Sequence, residues 1–258
     1  MDGALFLEFV RDVKFIQLPS EQFLVIGCDS AGGIGPKPLD KVKVSGYTIG
    51  KFTVRVAFME VLSVGAQPIA VIDTLSVEMH PTGIDIIKGI QREVEDAGLD
   101  PDLVLTGSYE KNVPTEQTGL GVVVIGIVSK KDLKIGTSKP RDVVVAIGEP
   151  KVGAEVVEVI QSGKENEVLA DLKDVKTLLS LDFVHEILPV GSQGIAKEIE
   201  TLTKPLNLTP SFERGVKIDL EKSAGPSTVV LVTLPREKVQ KLKTLFQKPM
   251  TIVGKLKA

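Results

Sequence analysis

The sequence predicts a protein of the α/β or α+β class. Runs rich in Val and Ile alternate with segments whose apolar residues recur at helical spacing, and Gly, Pro and charged turns separate the two kinds of segment. With 258 residues, 43% hydrophobic and 25% charged, the chain has material for one large domain or two ordinary ones and a sizeable core.

The elements follow in order. The apolar run Phe23 to Ile26 reads as a strand, and the segment from Gly27 to Lys37, with four glycines, an acid and a lysine, reads as a glycine-rich loop after it. From Thr53 to Gly65 the positions Val54, Ala57, Phe58, Val61 and Leu62 predict a helix, while Val56, Met59 and Val64 make its other side apolar as well. Such a helix is expected to be covered by its own sheet and by a second subunit or domain. Ile69 to Val77 follows as a strand, then Ile84, Ile87, Ile90, Val94 and Ala97 mark a helix closed by Gly98. Leu103 to Thr106 and Gly121 to Val128 are further strands. The charged, turn-rich stretch Lys130 to Arg141 reads as a hinge, giving domains 1–135 and 136–258. Beyond it, strands are expected at Val143 to Ile147 and Thr228 to Leu234, with helices at Ala154 to Gln161, Asn166 to Leu179, Ser192 to Thr203 and Arg236 to Leu245.

Charge and composition exclude several classes. With 31 basic and 34 acidic side chains the formal charge is −3, so no bulk attraction to nucleic acid or to an anionic membrane is expected. The long apolar region Val56 to Val77 contains Glu60, Gln67, Pro68 and Asp73, which argue against a spanning helix. A single cysteine excludes a disulfide framework, and the first residues lack the basic and apolar regions of a signal peptide, so a cytoplasmic location is expected.

Three acidic residues stand where acids are disfavoured. Asp29 lies beside the glycine-rich segment, Glu60 on the apolar helix, and Asp73 within Ile69-Ala70-Val71-Ile72-Asp73-Thr74-Leu75. For Glu60 two roles stay open, a cation ligand or an ion pair with Arg55 or a nearby lysine. Together the three supply oxygen ligands for Mg²⁺ ions that share nucleotide phosphates, and Lys37 supplies a point charge for those phosphates. The glycine spacing around Lys37 fits neither a P-loop nor a Gly-x-Gly-x-x-Gly turn. His80 and His185 are remote from Cys28, so neither a zinc site nor a Cys-His nucleophile is expected, and Cys28 reads as a small buried side chain.

Taken in order, Cys28-Asp29, Gly33-Ile34-Gly35-Pro36-Lys37, the segment Met59-Glu60-Val61-Leu62-Ser63-Val64-Gly65-Ala66-Gln67-Pro68, and Ile72-Asp73 resemble the aminoimidazole ribonucleotide synthetase superfamily of ATP-dependent enzymes. The resemblance continues through Leu105 to Ser108, Gly121 to Gly126 and Asp142 to Gly153, so it covers most of the chain. It implies a PurM-like two-domain fold, with an amino-terminal mixed sheet that pairs with that of a second subunit in a dimer barrel, and a carboxy-terminal α/β domain contributing to the acceptor site. ATP and Mg²⁺ are then expected along the interface of the homodimer. Carried over by position, Asp29, Glu60 and Asp73 resemble the metal ligands, Asp29 and Lys37 the catalytic pair, and Gly32, Gly33, Gly35, Lys37, Gly107 and Glu110 the ATP contacts. Many members carry an acid after a Gly-Gly pair where this chain has Gly107-Ser108. Either Glu110 stands in for that acid or the metal count is lower.

Within the superfamily, Ile34 stands where selenophosphate synthetases place cysteine or selenocysteine, and the adjacent aspartates of thiamine-monophosphate kinases are missing. The segments Thr106 to Gly119, His185 to Ile195 and Lys222 to Pro226 resemble the α-ribazole kinases of cobalamin nucleotide-loop salvage. That resemblance implies transfer of the ATP γ-phosphoryl group to the 5′-hydroxyl of α-ribazole, with His185, Gly191 and Ser192 as acceptor contacts. From the residues alone, Ser192 also reads as a helix N-cap and His185 as a packed histidine at a strand end. A thiamine-monophosphate kinase-like enzyme and a non-catalytic nucleotide-binding scaffold are the alternatives.

Overall fold

The structure, a computed structural model, describes residues 11–258, and expectations for residues 1–10 lie outside them. The chain forms two compact units: residues 12–62 with 66–130, and residues 131–258 with 63–65 and Arg11.

The amino-terminal unit is built on a mixed five-stranded sheet. Its strands are β1 (Val13–Gln17), β2 (Gln22–Gly32), β5 (Gln67–Leu75), β6 (Leu105–Tyr109) and β7 (Gly119–Ser129), in the order β1-β2-β7-β5-β6. Only β5 and β6 run parallel. The segment read as a glycine-rich loop is in its first half a strand: β2 continues to Gly32, paired residue by residue with β7, because small side chains from Gly27 to Gly32 do not obstruct the ladder. The turn begins only at Gly33, and the two-residue strands β3 (Ile34–Gly35) and β4 (Val42–Lys43) close it.

Helix α1 (Gly46–Ser63) starts well before Thr53 and packs on the sheet face that carries Val25, Gly27, Val124 and Gly126; a Cβ at Gly27 or Gly126 would meet Val61 at 2.9 or 2.6 Å. Its outer side is covered by α2 (Ile84–Asp96). Gly50 and Gly89 allow this close approach, since a Cβ at either would fall 2.2 Å from Ile86 O or 2.0 Å from Tyr47 O. Arg55 pairs with Glu93 of α2 (Nη2 to Oε1 2.5 Å), both buried. A short helix, α3 (Pro101–Val104), leads into β6 with Asp100 as its N-cap.

The covering layer lies on one face only. On the other, Leu24, Ile26, Ile72, Val123, Ile125 and Ile127 remain half-buried in the chain. Antiparallel strands with one solvated face ordinarily alternate apolar with polar residues, whereas these strands are apolar on both faces. The all-round apolar character that the sequence showed in α1 is therefore explained within the chain, and the uncovered apolar surface belongs to the sheet.

The carboxy-terminal unit is a fully antiparallel five-stranded sheet, β10-β12-β8-β11-β9, formed by β8 (Val143–Gly148), β9 (Glu186–Pro189), β10 (Thr209–Phe212), β11 (Val229–Leu234) and β12 (Met250–Lys257). The wholly buried strands β8 and β11 are its centre, and Ile195, Ile199 and Leu202 of α7 (Gly194–Thr203) pack into the same core. Helix α4 (Ala154–Gln161) lies where the sequence places it. The single helix expected over Asn166 to Leu179 is two, α5 (Glu165–Val168) and α6 (Leu172–Leu179). The break is at Asp171, whose extended backbone caps α6 in a reciprocal pair with Asp174, and Lys248 neutralises both acids at 2.7 and 2.5 Å. The last helix, α8 (Val239–Lys243), is shorter than predicted because residues 236–238 form a 3₁₀ turn.

Candidate active site

In the amino-terminal unit, Asp29 of β2 and Asp73 of β5 both pair in register with Val122 of the intervening strand β7. They therefore lie in one cross-strand row on the α1 face, roughly 10 Å apart at Cα, two strand spacings. The row extends to Gly107 of β6, opposite Asp73. A Cβ at Gly107 would lie 2.3 Å from the Asp73 carboxylate, so a glycine there is what gives that carboxylate its space. Burial pushes the Asp29 carboxyl up to about 6, against a hydrogen bond from the Ser30 backbone and aided by the charge of Asp12. Burial alone raises Asp73 to about 6 as well. No cationic side chain offsets either shift.

Glu60 is buried on α1, with its Cβ 3.6 Å from the point where a Cβ on Gly27 would stand, two residues before Asp29. It thus faces the same side of the sheet. Among the described residues no three His, Cys, Asp or Glu side chains meet closely enough to hold a metal ion, so the structure brings Asp29 and Asp73 into one row without closing a three-carboxylate cluster with Glu60.

The loop bearing Lys37 is fixed by a residue that the sequence reading missed. Asp40, buried, accepts from the backbone N–H of Lys37 (2.8 Å), from the N–H of Thr118 (2.8 Å) and from the Thr118 hydroxyl (2.7 Å). Gly33 N–H donates to Thr118 O, and Leu39 N–H to Glu116 O, so the loop is stitched to the segment before β7. The only signal in the sequence is an acid three residues after Lys37, the spacing of a side chain that returns to its own turn. The ammonium of Lys37 pairs with Glu78. Gly33 and Gly35 have positive φ, +71° and +146°, while Gly32 ends β2 in extended backbone.

Other predicted positions are corrected. Glu110 is engaged locally: its Oε1 accepts from the N–H groups of Asn112 (2.6 Å) and Val113 (3.1 Å), turning the carboxylate into its own turn. Hydrogen bonds from those two amides hold it below the usual carboxylate range. Cys28 is exposed on the opposite face of β2 from Asp29, not buried, as the alternation of a strand requires.

In the carboxy-terminal unit, His185 and the pair Gly191 and Ser192 stand at opposite ends of β9. His185 N–H bonds Thr233 O and Val190 N–H bonds Val229 O, so the five residues 186–190 separate His185 from Gly191 by roughly 20 Å. One small acceptor cannot touch both. His185 is a structural pair: its Nδ1 lies 2.7 Å from Oδ2 of buried Asp142, which also accepts from Lys139 N–H at 2.8 Å. Gly191 instead adjoins the segment Lys222 to Pro226, since Ala224 N–H donates to Gly191 O at 3.1 Å. Ser192 is exposed and does not cap α7, whose N-cap is Gln193 without a side-chain bond.

Residues 10–128 match the family described as AIR synthase related protein, N-terminal domain. Comparison with curated proteins gives no match. Among solved structures, the chain is similar to thiamine-monophosphate kinase from Stenotrophomonas maltophilia K279a, at 17% identity, TM-score 0.64, over 98% of this chain and 91% of that one. It is also similar to the thiamine monophosphate kinase of Aquifex aeolicus, at 14% identity, TM-score 0.66, over 96% and 89%. Hydrogenase maturation protein HypE in complex with ATP matches at 15% identity, TM-score 0.66, over 96% and 80%. These likenesses span both units and establish a PurM-like fold for the chain. No helix among the described residues is long and apolar enough to cross a membrane.

Proposed function

We propose that the chain is an ATP-dependent kinase of a small, nucleoside-like acceptor, and that its amino-terminal unit binds MgATP over the Asp29-Val122-Asp73 row. That row is the single observation carrying the reading. Two carboxylates raised by burial, with no cation contributing to either shift, suit a divalent ion, and Mg²⁺ is ordinarily held by one or two carboxylates with the remaining positions left to waters and substrate phosphates. A preformed cage of three acids is not required. Bound there, Mg²⁺ would supply charge neutralisation to the phosphate oxygens.

The chain's own residues would do the rest. Asp29 and Asp73 would orient the ion, Lys37 would present a point charge to the triphosphate, and the positive-φ turn Gly33 to Gly35 would let the backbone approach it. Glu60 faces the same side of the sheet and would add a further carboxylate to that side. The thiamine-monophosphate kinase neighbours and the ATP complex of HypE support an ATP-using site of this kind.

For the acceptor, α-ribazole is the first choice, on the resemblance of segments 106–119, 185–195 and 222–226. The adjacency of Gly191 and Lys222 to Pro226 supports a shared role for those two segments, while His185 is engaged by Asp142. Thiamine monophosphate is the second reading, favoured by the two kinases of that substrate among the structural neighbours. A non-catalytic nucleotide-binding scaffold is favoured by the engagement of Glu110 in its own turn. Incubation with MgATP and each acceptor, with products identified by mass spectrometry, separates the three. α-Ribazole 5′-phosphate is the expected product, thiamine diphosphate would replace the first acceptor by the second, and ATP binding without product from either leaves the scaffold.

The homodimer is proposed on the same footing. The half-buried apolar face made by Leu24, Ile26, Ile72, Val123, Ile125 and Ile127 suits a second copy of the same sheet.

A further inference from the structure

Lys37 is held at both ends. Its backbone N–H is fixed by Asp40, and its ammonium is bonded to Oε2 of Glu78. Glu78 is fixed in turn: its Oε1 accepts from the Thr82 hydroxyl at 2.5 Å and its carbonyl from Gly83 N–H at 2.9 Å. It also lies five residues beyond Asp73, on the segment that leaves β5. Glu78 is desolvated, which raises its carboxyl, yet the hydrogen bonds from Lys37 and Thr82 outweigh this and hold it below the usual carboxylate range.

A lysine ammonium on its flexible four-carbon stem has no preferred direction of its own, and ordering it at the moment of binding costs side-chain entropy. An ammonium also has three donors, of which Glu78 uses one. The Lys37 side chain is 14% exposed and that of Glu78 38%, so the carboxylate sits on the solvent side and the ammonium on the inner side.

From this geometry we infer that Glu78 is a positioning residue for Lys37: it sets the direction of the ammonium before a phosphate arrives and keeps one of its donors while the other two meet the phosphate oxygens. This rests on the reading of Lys37 as a phosphate contact.

The test is a double-mutant cycle read by calorimetric binding of Mg·AMPPCP to the full chain. Lys37→Ala should weaken binding at least tenfold. Glu78→Ala should weaken it about fivefold, the scale of one partly exposed charged pair. Glu78→Gln, whose amide oxygen still accepts from the ammonium, should lose less than twofold, and Glu78→Ala should cost nothing further in the Lys37→Ala background. Unchanged or tighter binding by Glu78→Ala, an equal loss in Glu78→Gln, or the same loss with and without Lys37 would each overturn the positioning role while leaving the nucleotide site intact. Unchanged affinity in Lys37→Ala would instead remove Lys37 from the site, and the inference with it.

Discussion

Asp29 and Asp73 flank Val122 from the strands on either side, so two acids 44 positions apart in the chain stand in one row of the sheet, on the face that α1 covers. Three strands, and no loop, fix their spacing. That rigidity is what a site for charge neutralisation needs, since its groups then do not reorganise during the reaction.

Replacing either acid by its amide should separate binding from folding. Asp29→Asn or Asp73→Asn should lower turnover by two orders of magnitude or more, while the far-ultraviolet circular dichroism stays that of the parent. Without Mg²⁺ the thermal midpoint of each variant should be equal or higher, because a buried charge without a cation has been removed. Near-normal turnover in Asp29→Asn would exclude that carboxylate from the site.

The two raised carboxyls give a pH dependence with a definite sign. Both titrate near 6 in the folded chain against 3.8 for an ordinary Asp, so between about pH 4 and 6 the folded state binds more protons than the unfolded one. In the absence of Mg²⁺ their contribution to stability is thus greatest below pH 4 and declines as pH rises through 6. Metal affinity runs the other way, weakening as pH falls below 6 because protons compete for the same oxygens. Denaturant titrations and Mg²⁺ titrations at pH 5 and 7.5 measure both trends, and Asp73→Asn should flatten each.

Gly107 tests the geometry of the row without touching a charge. An added Cβ would collide with the Asp73 carboxylate at 2.3 Å, and β6 is an exposed edge strand where small backbone adjustments are tolerated. Gly107→Ala should therefore weaken Mg·AMPPCP binding more than tenfold while shifting the thermal midpoint by only a few degrees. An unchanged affinity would show that the position of the Asp73 carboxylate is immaterial to nucleotide.

The uncovered sheet face makes a prediction about assembly. Ile125 sits at its centre, on the middle strand, between Ile26 and Ala70. Ile125→Asp should convert a dimer to a monomer in size-exclusion chromatography with light scattering, with the circular dichroism spectrum retained, since that residue contributes nothing to the α1 side of the sheet. A parent chain that is monomeric at micromolar concentration would remove the proposed homodimer.

How much was legible can be seen in particular residues. The central strands announce themselves because β-branched runs such as Val122 to Ile125 are apolar on both faces and Val143 to Ile147 is buried on both, a pattern that survives in one dimension. Asp29 and Asp73 were legible for a related reason, as acids inside apolar surroundings. Asp40, by contrast, was missed because its importance lies in hydrogen bonds to Thr118, 78 positions away, and nothing local marks it. Glu186 was silent for the same reason: this buried acid accepts from Arg11, from three consecutive backbone N–H groups at 136–138 and from the Ser138 hydroxyl. Gly27 to Gly32 was read as a loop because glycine composition ordinarily signals a turn, whereas here the glycines make room for α1 within a strand. Local preference lost to tertiary packing.

By itself the sequence determined the two-layer class, the central strands, the long apolar helix and the acids and lysine worth examining, since each is a property of residue type and spacing. Only the tertiary structure decided which of them meet. It put Asp29 and Asp73 in one row, turned Glu110 into its own loop, gave His185 to Asp142, and showed that α2 covers α1 while the far face of the sheet stays open. The physical reason is that strand register and side-chain hydrogen bonding join residues far apart in the chain, and the local forces that shape helices and turns carry no information about such partners.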